Sequence, residues 1–430
     1  MRSHLCNRCG TCVGLSEGRI VFTDRTGDYR PVVQSEIPDA LADTLWEACP
    51  GKHFDFPRYR SVFYGQTPNF HEFIGPFYQI GIGYAHNSET RLRAASGGII
   101  SAILIWLLQK NLIDGAVVLN MSEQEPWLTQ AVIATTAEEI LAAAQSKYII
   151  SSVNELLPEM QAFKGRLAYV GLPGQVQAIR KLQAMDHPSV KNIVYIFGPF
   201  YGNTLHFSSV NSFLRTYGER DYRQIRRLYF RHGEWPGNMR VEMNNGRIIQ
   251  LKKFHANYLI PFHILRNSLY CTDLANEFTD ISGGDAWAPV YEDRGKGFSM
   301  VISRSAAGEQ VLQQMIAEGI LSFEPISEEE SIVMHSHGYD FKKRGAFIRI
   351  QFRKWLGKSV PDYGYVIKGF TVTRYLMELA ISSLFILFGT RASRWLVEQL
   401  PPSFVGGLFE KTRKVWKKST HSIKRKNLRQ

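Results

Sequence analysis

Residues 97–120 read GGIISAILIWLLQKNLIDGAVVLN, and this stretch decides the fold class. From Ile99 to Leu108 only Ser101 is not apolar. A run of this length that is apolar on every side suits a helix buried all round, not a surface helix with one wet face. Residues 115–120 (GAVVLN) then form a short β run, as do 130–135 (QAVIAT). The order helix, strand, strand continues outward in both directions. Residues 78–84 read as a strand and 136–145 as a helix. Residues 167–170 run through a Gly/Pro turn into a helix over 175–183, and 192–197 repeats the strand and ends at Gly198-Pro199. Strands alternating with helices predict βαβ units and a mostly parallel sheet.

Between 226 and 251 the pattern changes. Residues 227–231, 239–243 and 247–251 read as an antiparallel meander, with Asn244-Asn245-Gly246 as a hairpin turn. The expected class is therefore α/β with an α+β element, in three parts. Residues 1–57 form a small cysteine-bearing segment, 58–345 an α/β domain, and 346–430 a helical extension that is apolar and then basic. Within the extension, 375–388 is apolar apart from Glu378 and two serines, shorter than the ~20 residues of a spanning helix. A second helical stretch, 392–400, ends at Pro401-Pro402.

The chain has 430 residues, enough for a large core, and a net charge of +12. That charge is local. Residues 411–430 hold nine Lys/Arg and no Asp or Glu, and the other 410 residues carry about +3. A nearly neutral body lacks the basic stripe that nucleic-acid binding needs, so no nucleic-acid partner is expected. An apolar helix followed by a basic, Trp-bearing one suits peripheral contact with a membrane surface through 371–430; packing on the body or on a partner protein is the plainer alternative.

The chemistry starts at the N-terminus. Cys6, Cys9 and Cys12 are each two residues apart, and Cys49 precedes Pro50. Residues 1–5 are too short and polar for an export signal, so a cytoplasmic, reducing location is expected, at most peripheral at the inner face of a membrane. Clustered thiols there read as metal ligands before disulfides. Three cysteines in C-x2-C-x2-C order followed by a Cys-Pro favour one iron–sulfur cluster, with Cys6, Cys9, Cys12 and Cys49 as ligands. The Cys-Pro is displaced by about three dozen residues. A structural zinc accepts the same four thiolates, although zinc sites usually pair two CxxC units.

A cluster moves single electrons and calls for a two-electron partner, commonly a flavin. Three glycine turns are candidates for it: Ser96-Gly97-Gly98 before the apolar helix, Gly171-Leu172-Pro173-Gly174-Gln175 between a strand and a helix, and Ser282-Gly283-Gly284-Asp285 after a short strand. Each by itself is more often a plain connection. None matches a dinucleotide fingerprint or a P-loop, and His53, His187 and His206 read as surface or core residues, not ligands.

Taken in order, CNRCGTC (6–12), ACPG (48–51), RAASGGIISAIL (93–104), QSKY (145–148), VGLPGQVQAIRKL (170–182), IVYIFG (193–198), YCTDLANEFTDISGGDAW (270–287) and GFSMVISRS (297–305) resemble the coenzyme F420 (deazaflavin) hydrogenase/dehydrogenase beta-subunit family. The resemblance does not extend beyond about 345. It implies a ferredoxin-like 4Fe-4S segment at 1–57, an FAD-binding α/β domain at 58–345, and oxidoreductase activity toward an organic acceptor. The acceptor is a deazaflavin in methanogens and a chlorophyll-type pigment in plant and cyanobacterial relatives. It also implies a redox partner, a ferredoxin or another subunit, and places Ser96, Gly97, Gly98, Lys147 and Asp285 on the flavin side, with Lys147 as a fixed cation near the reduced ring. Where the family often carries additional cysteines this chain keeps only Cys271, and one thiolate holds no cluster, so a single cluster is expected. Those missing cysteines also motivate a second reading: a partly degenerate binding or assembly protein, for example in a cell-surface polysaccharide locus.

Overall fold

The computed structural model describes residues 5–292 and 296–426; the end of the basic tail, 427–430, lies outside them. Two small hairpins come first: β1 (Ile20–Phe22) with β2 (Pro31–Val33), and β3 (Asn69–His71) with β4 (Gly75–Phe77). The main sheet takes β5 (Gln79–Ala85), β6 (Gly115–Met121), β7 (Thr129–Ala134), β8 (Leu167–Val170) and β9 (Ile193–Pro199). After the separate meander of β10 (Ile225–His232), β11 (Asn238–Met243) and β12 (Ile248–Lys252) come β13 (Ile281–Asp285), β14 (Ser299–Ser303) and β15 (Leu321–Pro325). The eight-stranded order is β15-β5-β14-β13-β9-β8-β6-β7.

This sheet is mixed, not mostly parallel. Only the central strands β13-β9-β8-β6 pair in parallel; the pairings β13-β14, β14-β5, β5-β15 and β6-β7 are antiparallel. Strand β7 returns beside β6 as a simple hairpin, which the alternation of runs in the sequence could not distinguish from a crossover. The meander is as expected, with Asn244, Asn245 and Gly246 at its second turn.

Helix Ile99–Gln109 is buried as its composition demands. It packs with helix Ala306–Ala317 on one face of the sheet, around Ile103, Leu107, Val301 and Leu312. The other face is covered by helix Pro173–Ala184 and an aromatic group of Phe54, Phe56 and Phe278. The meander has its own core with helix Ser208–Arg215, and Val397, Phe385, Val405 and Phe409 of the extension complete it.

The C-terminal extension is tied to the body by charge. A helical run passes through residue 345, with a π turn at Asp340–Gly345. From it Asp340 and Arg349 meet Arg374 and Glu378 of helix Val372–Phe388, all four buried: Arg374 bridges Asp340 (3.1 Å) and Glu378 (2.7 Å), and Arg349 pairs with Glu378. Among the described residues no single helix is long and apolar enough to cross a membrane. Helices Val372–Phe388 and Arg391–Glu398 pass that test only as a pair bent by 72°.

Candidate functional site

The parallel strands β8, β9 and β13 end together, and in such sheets ligands bind beyond the carboxyl ends. A cleft of about 1000 Å³ lies there, lined by Val170, Pro199 and Gly283–Asp285 from the strand ends and by Ser96 and Gly98 from the turn before the buried helix. Two of the three glycine turns therefore meet in one cleft, as do Ser96, Gly98 and Asp285.

The geometry explains the glycines. Gly98 caps the helix at φ +80°, and a Cβ on Gly97 would overlap the carbonyl oxygen of Gly83. The Gly97 N–H donates to Ser299 Oγ at 2.9 Å, and Ser96 Oγ lies 2.7 Å from the same oxygen. Ser282-Gly283-Gly284-Asp285 is not a loop after a strand: it is β13 itself, held by β14 on one side and β9 on the other. Its glycines let the backbone line the cleft, since the nearest atom to a Cβ on Gly283 would be 3.6 Å away.

Asp285 ends β13 inside a polar knot. Arg231 of β10 donates to it from both terminal nitrogens, at 2.8 and 3.3 Å, and Trp235 Nε1 donates at 2.7 Å. Arg231 also reaches Tyr148 Oη (3.1 Å) and the Ala95 carbonyl. Burial pushes the Tyr148 phenol up, but the cations Lys253 and Arg231 more than offset this, and the net direction is down. Lys253, whose Nζ sits 4.2 Å from the Tyr148 ring centroid, is lowered mainly by burial. His335 lines the cleft with its Nε2 buried and unpartnered, and burial takes the imidazole down to about 4. Sequence reasoning missed Arg231, Lys253, Tyr148 and His335. Each lies far along the chain from the glycine turns, and only Tyr148, beside Lys147, stood next to a flagged residue.

Lys147 faces elsewhere. Its ammonium donates to the carbonyls of Ala143 (2.6 Å), Ala144 (2.8 Å) and Gln145 (3.3 Å), closing helix Ala137–Ala142, and burial lowers it to about 7. The carbonyl ends of that helix form part of the cleft rim.

The cysteines form a second centre next door. Gly10, at φ +92°, lets the Cys9–Cys12 turn press on the backbone of 152–155; a Cβ there would stand 2.7 Å from the Glu155 nitrogen. Asn154 fixes the turn: its N–H donates to the Cys9 carbonyl (3.0 Å), and its Nδ2 to Thr11 Oγ1 (2.9 Å) and the Gln175 carbonyl (3.1 Å). Asn267 Nδ2 donates to the Leu5 carbonyl at 2.7 Å. The four thiols share one region. Burial pushes Cys9 up to about 12, and the charges of Cys49 and Cys6 add to it. Cys12 is raised by burial and then by Cys9, Cys6 and Cys49, and Cys49 by burial and by Cys6. Among the described residues no three His, Cys, Asp or Glu side chains close tightly around a single ion.

The third glycine turn, Gly171–Gln175, belongs to this side and not to the large cleft. Leu172, Gly174 and Gln175 line a small cavity of about 30 Å³ together with Asn7, Pro50 and Cys271. One loop separates the two chambers. Phe200, Asn203 and Leu205 face the cleft, whereas Tyr201 and Thr204 face the small cavity. Cys271 is buried, and burial raises its thiol.

The sequence matches, over residues 82–158 and 164–329, the family described as coenzyme F420 hydrogenase/dehydrogenase beta subunit, N-terminal and C-terminal parts respectively. Similar proteins include a coenzyme F420-dependent sulfite reductase of Methanocaldococcus jannaschii, 26% identical over 74% of this chain and 47% of that protein. A coenzyme F420 hydrogenase subunit beta of Methanosarcina barkeri is 26% identical over 60% of this chain and 84% of that one. The chain thus spans about half of the reductase but most of the hydrogenase subunit. Among solved structures, a chain of the F420-reducing [NiFe] hydrogenase complex of Methanosarcina barkeri superposes with TM-score 0.54 at 20% identity, covering 68% of this chain and 98% of that one, a likeness of fold.

Proposed function

The chain belongs to the coenzyme F420 hydrogenase/dehydrogenase beta-subunit family, a family of oxidoreductase subunits, and from that premise we propose that it is an iron–sulfur flavoprotein passing electrons between one 4Fe-4S cluster, FAD and an organic acceptor. The observation that carries the proposal is the packing of the Cys9–Cys12 turn, through Asn154, against Gln175 beyond the carboxyl end of β8, with one loop between that side and the large cleft. Electron transfer needs such closeness; hydrolysis or simple binding does not.

Cys6, Cys9, Cys12 and Cys49 would hold the cluster. Four clustered thiols, Cys9 buried and the others half-buried, that repel one another as thiolates gain most from coordination to iron, which removes the cost of their charge. The C-x2-C-x2-C spacing with a following Cys-Pro agrees with a cluster better than with zinc, whose sites usually pair two CxxC units. The cleft would hold FAD, with Ser96, Gly98 and Asp285 along it and Gly97 behind them, fixing the turn against Ser299. The unpartnered His335 Nε2 is a buried polar group that a bound molecule would satisfy. When bound, the cluster supplies one-electron steps and the flavin converts them to hydride chemistry. The protein's own share is placement: Arg231 fixes Asp285 and Tyr148, Lys253 adds positive potential, and the close-packed glycines bring backbone to the ligand. Lys147, spent on three carbonyls, acts on a reduced flavin only through the helix end that it closes.

Relatives are named as subunits of hydrogenases, and we propose a redox protein, a ferredoxin or another subunit, as the electron donor. Protein purified without oxygen and analysed for iron, sulfide and flavin tests the reading. About four iron and four sulfide per chain with bound FAD are expected. Zinc in place of iron, or an absence of flavin, overturns it and favours the binding or assembly role.

A further inference from the structure

The C-terminal extension lies beyond residue 329, where the family match ends, and its outward surface has a composition unlike the rest of the molecule. In helix Val372–Phe388 the only charged residues, Arg374 and Glu378, are buried against the body, so every exposed position is uncharged. Leu376, Leu379, Leu387 and Ile386 point out, the last 69% exposed. Trp355, exposed and stacked on Tyr375, extends this surface at one end. After the 72° bend, Trp395 (64% exposed) and Leu396 extend it at the other.

Helix Pro402–Lys426 continues the theme with charge added. Phe404, Leu408, Lys411, Val415 and Lys418 are all exposed and follow one another at alternating spacings of four and three, one face of a helix. The opposite face is committed to the body: Val405 and Phe409 enter the meander core, and Glu410 lies 3.5 Å from His255. Exposed Lys354 and Lys358 flank Trp355, and exposed Arg391 sits at the bend.

We infer that the outward faces of helices Val372–Phe388, Arg391–Glu398 and Pro402–Lys426 form a docking surface for an anionic lipid bilayer. Three features select lipid over a protein partner. The exposed apolar residues of helix Val372–Phe388 are aliphatic, Leu376, Leu379, Leu384, Ile386 and Leu387, with no exposed charge among them, a grouping that marks an interaction surface. Its edges carry Trp and Lys/Arg, the residues of the membrane interface, whereas lysine is depleted from protein–protein contacts. The cations lie on the same helix face as the apolar residues, complementary to acidic headgroups lying over acyl chains. The helices would lie along the surface, since among the described residues no single helix is long and apolar enough to cross a membrane.

Flotation of the full-length chain, purified without oxygen, tests this on vesicles of phosphatidylcholine alone and with phosphatidylglycerol added. Binding to the anionic vesicles at least about tenfold tighter than to the neutral ones, weakening with salt, is expected. The pair L379E/L387E, both exposed, should abolish flotation while circular dichroism and the elution volume stay those of the parent; K411E/K418E should remove the preference for anionic lipid. No flotation, or equal binding to neutral vesicles, overturns the inference. So does a parent that is dimeric in sedimentation and turned monomeric by L379E/L387E without any vesicle binding, since the face then belongs to a second copy. None of these readouts depends on iron or flavin.

Discussion

Arg231 and Asp285 hold each other by two N–H···O bonds of 2.8 and 3.3 Å across the gap between the meander and the main sheet. The arginine is 2% exposed, so its charge depends on this carboxylate. Asp285→Asn leaves a buried guanidinium without a counter-charge, at an expected cost of about 3 kcal/mol. A thermal melt should show a fall of several degrees. Flavin retained through gel filtration should fall in the same variant. Unchanged melting and unchanged flavin together would deny the pair both roles.

The two glycines before the buried helix should respond differently to alanine. Gly98 has a positive φ, and a Cβ there would stand 3.1 Å from the Thr90 carbonyl oxygen, a milder approach than at Gly97, so Gly98→Ala is expected to cost about 1–2 kcal/mol. Gly97→Ala drives a Cβ into the Gly83 carbonyl and breaks the fit to β5 and β14, for about 3 kcal/mol. Urea unfolding of both variants should place Gly97→Ala well below Gly98→Ala. The reverse order would mean that the close approach is not tight.

Acid should weaken the fold through buried histidine. Burial lowers His335 to about 4, against roughly 6.5 when unfolded. Between those values the unfolded chain binds more protons, so stability rises with pH there and is lost as pH falls. His206, also taken down to about 4 by burial, acts with the same sign. Asp273, raised to about 6 by burial and by Glu277, acts with the opposite sign over pH 4–6. His335→Gln removes one contribution. The stability lost between pH 7 and pH 5 should then shrink by about 2 kcal/mol in denaturant titrations. An identical loss in parent and variant would show that the imidazole stays accessible to protons in the fold.

Glu378 holds two arginines, Arg349 and Arg374, at the root of the C-terminal extension. Glu378→Gln leaves both cations underpaired in a buried place, for about 3 kcal/mol or more. The loss should be local. Limited proteolysis is expected to cut between 372 and 426 sooner than in the parent, while the core fragment persists. Equal cutting rates would show that apolar packing alone secures these helices.

Serine at Cys6, Cys9, Cys12 or Cys49 should each lower bound iron severalfold on the proposed ligand set. Cys271→Ser should leave iron per chain unchanged. Iron lost with Cys271→Ser, or kept without Cys49, would redraw that set.

Much of this fold was legible because burial writes itself into composition. The apolar run at 99–108, interrupted only by Ser101, had to be interior, and Asn244-Asn245-Gly246 had to be a turn. What escaped is instructive. Strand β7 follows β6 after a short loop, and its alternation is the same whether the neighbour is parallel or antiparallel, so the mixed character of the sheet was invisible. Ser282–Asp285 looked like a loop because glycine lacks β propensity; pairing on both sides overrides that preference. The cysteine motif and two glycine turns carry their spacing in the chain. Arg231, Lys253 and His335 do not, since each reaches the cleft from an element whose own pattern concerns only its packing. Glu378 was a hint: one carboxylate in an apolar run calls for buried cations, of which Arg374 stands one turn away in the same helix and Arg349 arrives only with the tertiary structure.

Helix Pro402–Lys426 has one further consequence. Its inner face, through Glu410 and Arg413, is a wall of the large cleft, and it is pinned there by the close approach of Gly406 to His255, where a Cβ would stand 2.5 Å from its neighbour. A chain ending near residue 400 would keep the sheet, both glycine turns and all four N-terminal thiols, yet lose one side of the chamber. On the proposed reading, a reduced flavin in the chamber would then meet dioxygen directly, and its electrons would leave as peroxide instead of reaching the acceptor. On that reading, a few turns of helix stand between productive turnover and futile oxidation.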